Sequence, residues 1–162
     1  WLVKADITWL QWSQFKAPAS VISINLDTGS TGLPLPETAT ILDPGFHDII
    51  IARIGLENEV FSNETINLQS RIGYFFEPTP TPKQNGTTNY ADSNKHGTSL
   101  GLGIKILDLK PLLQLPLEID WVFQAIWLES REYNKDSPAD FIGDYNIHGV
   151  ILGSSITVGV QF

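Results

Sequence analysis

The sequence contains no cysteine and no methionine, and only 17% of its 162 residues are charged. Without cysteine there is no disulfide framework, no thiolate metal site and no cysteine nucleophile. Cationic excess is missing too. The net charge of −8 works against nucleic acid as a partner, because its phosphates would be repelled. No run approaches the roughly eighteen uninterrupted apolar residues of a transmembrane helix, which excludes helical spans. A membrane barrel, whose strands need only about 9–11 residues each, is not excluded. The chain opens on Trp1, with no charged-then-apolar leader ahead of it. It is expected to be a processed product or a piece of a longer protein. No convincing amphipathic helix is present either.

What is present is alternation. In the last segment, Val150, Leu152, Ser154, Ile156, Val158 and Val160 share one face, and Gly149, Ile151, Gly153, Ser155, Thr157 and Gly159 share the other. That period of two is a strand between two environments. The same pattern predicts about seven strands, over 1–13, 19–27, 46–58, 66–77, 97–109, 115–130 and 146–162. In 66–77, Ile66, Leu68, Ile72, Tyr74 and Phe76 oppose Asn67, Gln69, Arg71, Gly73, Phe75 and Glu77. In 115–130, Leu117, Ile119, Trp121, Phe123, Ala125 and Trp127 oppose Glu118, Asp120, Val122 and Gln124. In 97–109, Leu100, Leu102, Ile104 and Ile106 oppose Ser99, Gly101, Gly103 and Lys105.

A soluble sandwich alternates as well, with its apolar face inward. Three features favour the inverse. The later segments are longer than the five or six residues typical of soluble strands. The polar face is rich in Gly, Ser, Thr, Gln and isolated charges, as a narrow or wet lumen would be. Aromatics (Trp9, Tyr74, Phe76, Trp121, Trp127, Phe162) fall near segment ends, as interfacial girdles require. The predicted fold class is therefore all-β, a transmembrane antiparallel β-barrel. Its connections alternate short and long, so 14–18, 59–65 and 110–114 are expected to be periplasmic turns, and 28–45, 78–96 and 131–145 extracellular loops. Seven strands cannot close alone, because bacterial single-chain barrels use even numbers and an open edge is costly in lipid. Residues 1–162 are thus expected to be the C-terminal half of a larger barrel, with Phe162 at the periplasmic rim.

Four stretches then carry a family resemblance. They are "DITWLQWSQF" (Asp6–Phe15), "DPGFHD" (Asp43–Asp48) with "IGLE" (Ile54–Glu57), "RIGYFFEPTPTP" (Arg71–Pro82) and "SLGLG" (Ser99–Gly103), in that order. Together they resemble the second half of the FadL/TodX family of outer-membrane transporters for long-chain fatty acids and other hydrophobic molecules. The resemblance implies a barrel of about fourteen strands, within the range that bacterial barrels span. It also implies an N-terminal half, with a lumen-plugging hatch, that lies outside this sequence. The expected role is passive uptake of a fatty acid or similar hydrophobic ligand, in the outer membrane of a Gram-negative bacterium and without a cofactor. An alternative implied by the same family is a structural partner or shuttle in an outer-membrane secretion assembly, docked to other outer-membrane proteins. The loop "KQNGTTNYADSNKHGTS" departs from the family pattern, with Ala91 in place of proline and Asn94–Lys95 in place of an Asp–Arg pair.

An apolar path for such a ligand needs a few cations to meet a carboxylate. By parity the lumen-facing cations are Lys4, Arg53, Arg71 and Lys105, with His47 at the outer mouth. The lumen-facing acids are Asp6, Glu57, Glu77, Glu118 and Asp120. Mutual pairing that fills the barrel is the plainer expectation for these charges. Ligand contact is expected among His47, Ile51, Arg53, Arg71, Phe75 and Lys105. Ser154, Ser155 and His148 form no nucleophile arrangement, so no enzyme is expected. The histidines at 47, 96 and 148 have no metal-ligand spacing. Glu132, Asp136, Asp140 and Asp144 read as a solvated acidic loop rather than a calcium site. Pro78, Pro80 and Pro82 mark a strand running out into a stiff loop.

Overall fold

β-Branched and aromatic residues in alternation suit a pleated, half-covered surface, and that is where the chain forms strands. The computed structural model describes residues 1–15, 21–22, 39–40, 44–83, 90–108, 115–135 and 143–160. The strands are β1 (Leu2–Leu10), β2 (Val21–Ile22), β3 (Ala39–Thr40), β4 (Ile49–Ser62), β5 (Ile66–Glu77), β6 (Lys95–Ile106), β7 (Leu117–Tyr133) and β8 (Tyr145–Val160), with one 3-10 turn at Trp12–Gln14. Six of them make a single antiparallel sheet in the order β1-β4-β5-β6-β7-β8, while β2 and β3 pair with each other.

The sheet corrects the strand count. β1 pairs along its whole length with β4, from Leu2 opposite Glu57 to Leu10 opposite Ile49, which leaves no slot for a strand between them. The strand expected over 19–27 therefore does not stand between these two in the main sheet. Of it only Val21 and Ile22 are described, in the small β2–β3 ladder. The consequence reaches the connections. Residues 11–48 join two neighbouring strands, so Gln14 and Phe15 sit at the same rim as the ends of β5 and β7, not at the opposite one. The expectation that 14–18 is a short turn at the other rim is overturned. Most of 28–45, the turn 110–114 and Phe162 lie outside the described residues.

The turn between β4 and β5 is built by one side chain. Asn63 Oδ1 accepts the backbone N–H groups of Thr65 (2.9 Å) and Ile66 (2.7 Å), closing a tight Asx-type reversal. Two bulges interrupt the ladders, at Glu59/Phe61 and at Leu128/Arg131. The second shifts parity. Leu128 pairs with Gly149, but Arg131 pairs with Ile147, so β7 gains one residue and Arg131 and Tyr133 turn onto the polar face.

The two faces differ as the alternation requires. Ile72, Leu102, Trp121, Val150 and Ile156 all stand bare on the apolar face, the last at 69% exposure. The buried hydrophobic side chains among the described residues are Ile49, Ile51 and Tyr133, and all three lie on the polar face near the rim of the long connections. The chain exposes 11774 Å², where a compact globule of its mass would expose roughly 8,000 Å². Among the described residues, apolar burial is confined to that rim and the rest of the sheet has no apolar core of its own.

Candidate functional site: the polar face of the sheet

The polar face is organised by cross-strand rows, since residues opposite each other in the register share a face. Its centre is Arg71 on β5. Its Nε donates to Glu57 Oε2 on β4 at 2.9 Å and its Nη2 to Gln69 Oε1 at 2.6 Å. Its Nη1 also pairs with Asp120 on β7. Reaching β7 from β5 means crossing β6, and glycine makes the crossing possible. A Cβ at Gly101 would lie 3.3 Å from Arg71 Cβ, and one at Gly103 would lie 2.7 Å from Asp120 Oδ1. The alternate glycines of the "SLGLG" segment are therefore the bed on which the guanidinium lies. Phe75 uses the same device four residues further along β5. Its ring covers Gly97 so closely that a Cβ there would stand 1.9 Å from a ring carbon.

The other candidates are placed as follows. Arg53 Nη1 donates to Asp6 Oδ1 and Thr8 Oγ1, both at 2.8 Å. Ile51 is 3% exposed. His47 lies just before β4 with an exposed side chain, and its backbone N–H donates to the carbonyl of Pro80 at 3.0 Å. Lys105 stands in register between Asn67 and Glu118. Lys95, beyond the predicted start of its strand, bridges Glu77 (3.1 Å) and Asp92 (2.9 Å). The site residues are thus spread along the face rather than gathered at one point, and Arg53 and Arg71 are already met by carboxylates.

Sequence reasoning missed the residues that fold the rim inward. Arg131 Nη2 donates to the carbonyl of Thr81 at 2.8 Å and Tyr133 OH to that of Asp92 at 2.5 Å. The Asp92 carboxylate accepts from Thr79 Oγ1 at 2.6 Å, and Asn94 Oδ1 accepts from the Thr79 N–H at 2.9 Å. Thr79, Thr81 and Ser93 are buried. The segments at 78–83 and 90–94 therefore lie over the polar face and are clamped from β7. The bulge hid this, because it breaks the period-2 signal at the point where Arg131 and Tyr133 change face. At the same rim Trp12, Phe15, Phe46 and Tyr90 pack as an aromatic cluster with centroid separations of 5.2 to 6.1 Å. Asp48 ties the 3-10 turn to β4 by accepting the Ser13 N–H at 2.9 Å. Hydrogen bonds from the Ser13 hydroxyl and N–H hold its carboxyl below the ordinary value of 3.8.

The apolar face carries its own aromatic row. Phe76, His96 and Trp127 are in register, with ring centroids 4.9 and 5.3 Å apart and the last pair stacked at 10°. His96 also bonds Tyr74 OH and Glu129 Oε1, both at 2.7 Å. Ser154, the polar interruption of that face, accepts the indole N–H of Trp121 at 2.9 Å.

No protein-family model matches the sequence, and no curated protein does. A solved structure does match: a Pseudomonas aeruginosa FadL homologue, with 16% identity and a TM-score of 0.53, over 96% of this chain and 30% of that one. The fold is that of part of a FadL barrel. The chain spans about a third of the length of that neighbour. Within a barrel wall, the polar face is the lumen side and the bare apolar face the outer side.

Proposed function

We propose that the chain forms part of an outer-membrane channel for passive uptake of long-chain fatty acids or similar hydrophobic molecules. The observation that supports this best is the inverted amphipathicity of a barrel wall. The large apolar side chains are bare on the outer face, while the ionic network of Arg71, Glu57 and Asp120 lies on the inner one. Water would penalise the first arrangement and hydrocarbon the second, so the outer face fits a bilayer and the inner face an enclosed lumen. The aromatic row of Phe76, His96 and Trp127 fits a headgroup boundary. In this reading the rim of the long connections is extracellular and the Asn63 turn periplasmic. The outer edges of β1 and β8 end the sheet and must pair with further strands in lipid, which fits a C-terminal portion of a larger barrel.

The reading is tested on protein extracted gently from outer membranes, by native mass spectrometry and analysis of the lipids it releases. Bound fatty acid, together with fatty-acid uptake into vesicles containing the protein, is the expected result. Stoichiometric protein partners with neither bound lipid nor uptake would overturn it in favour of a docked assembly component.

A further inference from the structure

The rim segments 78–83 and 90–94 meet their backbone needs without joining the sheet. Pro78, Pro80 and Pro82 carry no N–H. The two N–H groups between them go to side chains of the same segments. That of Thr79 donates to Asn94 Oδ1 at 2.9 Å, and that of Thr81 to Thr79 Oγ1 at 3.2 Å. The Thr79 hydroxyl in turn donates to the Asp92 carboxylate at 2.6 Å. The two segments are thus one strap, bonded to itself and continuous with β5 at Glu77 and with β6 at Lys95.

A separate set of bonds holds the strap to the wall on either side. Just ahead of β4, the His47 N–H donates to the Pro80 carbonyl at 3.0 Å. From β7, beyond β5 and β6, Arg131 donates to the carbonyls of Thr81 at 2.8 Å and Asp92 at 3.3 Å, and Tyr133 OH to that of Asp92 at 2.5 Å. The adjacent residues Pro80 and Thr81 are therefore anchored toward opposite sides, and the strap spans the polar face between β4 and β7. All four of these strands are interior to the sheet, so no anchor depends on what pairs with its edges.

The two sets differ in kind. Each wall bond puts one donor on one carbonyl, with no ladder joining it to the next, and water can replace it on both partners. The bonds inside the strap are untouched when the wall bonds part, and its prolines keep it stiff. A segment held in this way opens locally at far lower cost than the strands beneath it. We propose that the strap is a gate at this end of the lumen: released from His47, Arg131 and Tyr133, it swings as a unit about its joins at Glu77 and Lys95, and the passage opens. This rests on the transport reading above and adds to it a moving part carried by the wall itself.

The test tethers the strap to the wall. His47→Cys and Pro80→Cys together keep the backbone donor and acceptor of their bond, and these 162 residues contain no other cysteine. A short bifunctional thiol reagent that reductant cleaves joins the pair in the intact, membrane-inserted protein. Dodecanoate uptake into vesicles and ion conductance across planar bilayers are read before cross-linking, after it and after reduction, with each single-cysteine variant as control. Cross-linking is expected to lower both at least about tenfold, with recovery on reduction. Tyr133→Phe, which removes one wall bond, is expected to raise the conductance about two- to tenfold. Uptake and conductance unchanged by the tether would overturn the gate and leave the strap as fixed lining of the mouth. Conductance that follows the tether, with no dodecanoate uptake in any state, would overturn the transport reading and support the gate.

Discussion

The crossing of Arg71 over β6 makes a quantitative prediction. In Gly103→Ala, the added Cβ would meet Asp120 Oδ1 at 2.7 Å and Arg71 Nη1 at 3.3 Å. Something must move, and the atoms in the way are the two that form the ion pair. Alanine in an extended strand should by itself stabilise by about 0.4–1 kcal/mol, through lower entropy of the unfolded chain. Displacing Asp120 leaves a carboxylate with no guanidinium, for which a buried group would cost about 1–3 kcal/mol. Because Arg71 and Asp120 side chains retain 33% and 25% exposure, screening should reduce that to about 1–2 kcal/mol. The net expectation is a loss of about 1 kcal/mol in Gly103→Ala. In an Asp120→Ala background the obstruction is gone, and the same substitution should be neutral or slightly stabilising. The coupling in the double-mutant cycle should then be about 1 kcal/mol or more. Reversible urea unfolding of the vesicle-inserted protein, followed by tryptophan fluorescence, measures it. Additivity within about 0.3 kcal/mol would refute the claim that the glycine exists to let the ion pair cross β6.

Three further outcomes follow from the same geometry. Gly97→Ala places a methyl inside the Phe75 ring and should destabilise by about 1–3 kcal/mol in the same unfolding assay, with Phe75→Leu as a partial rescue. Arg131→Ala should free the segments at 78–83 and 90–94 from the polar face, seen as faster limited proteolysis there with an unchanged barrel core; equal protection would count against the clamp. The Asp48 carboxyl is held below 3.8 in the folded chain. Its bond from Ser13 therefore contributes above that value and is lost as pH falls through the lower folded one, never as pH rises. The protection of the Ser13 amide relative to an unfolded chain at the same pH should fall on acidification below pH 3.8, and Asp48→Asn should flatten that dependence.

Much of the wall was legible because side-chain direction in a strand is local. The parity read from 66–77 put Arg71, Phe75 and Glu77 on one face, and the register confirms that face across four strands. The predicted range of β5 is also the observed one. The strand expected over 19–27 failed for the opposite reason. Alternation says that a segment suits a sheet but not which neighbour it finds, and here β1 took β4 directly. The reach of β7 was cut short where a single extra residue at the bulge reversed its parity.

Outside the bulge in β7, the sequence by itself determined which residues share a face, since a period of two is fixed by backbone geometry within each strand. It also showed that the inward set mixes cations and anions. Only the tertiary structure decided how those charges are shared out, because pairing depends on the register between strands far apart in the chain. Asp6 meets Arg53 across 47 positions and Asp120 meets Arg71 across 49. Lys4 stands opposite Gly55 in the register. How each charge is met depends on that long-range register, and no local pattern encodes it.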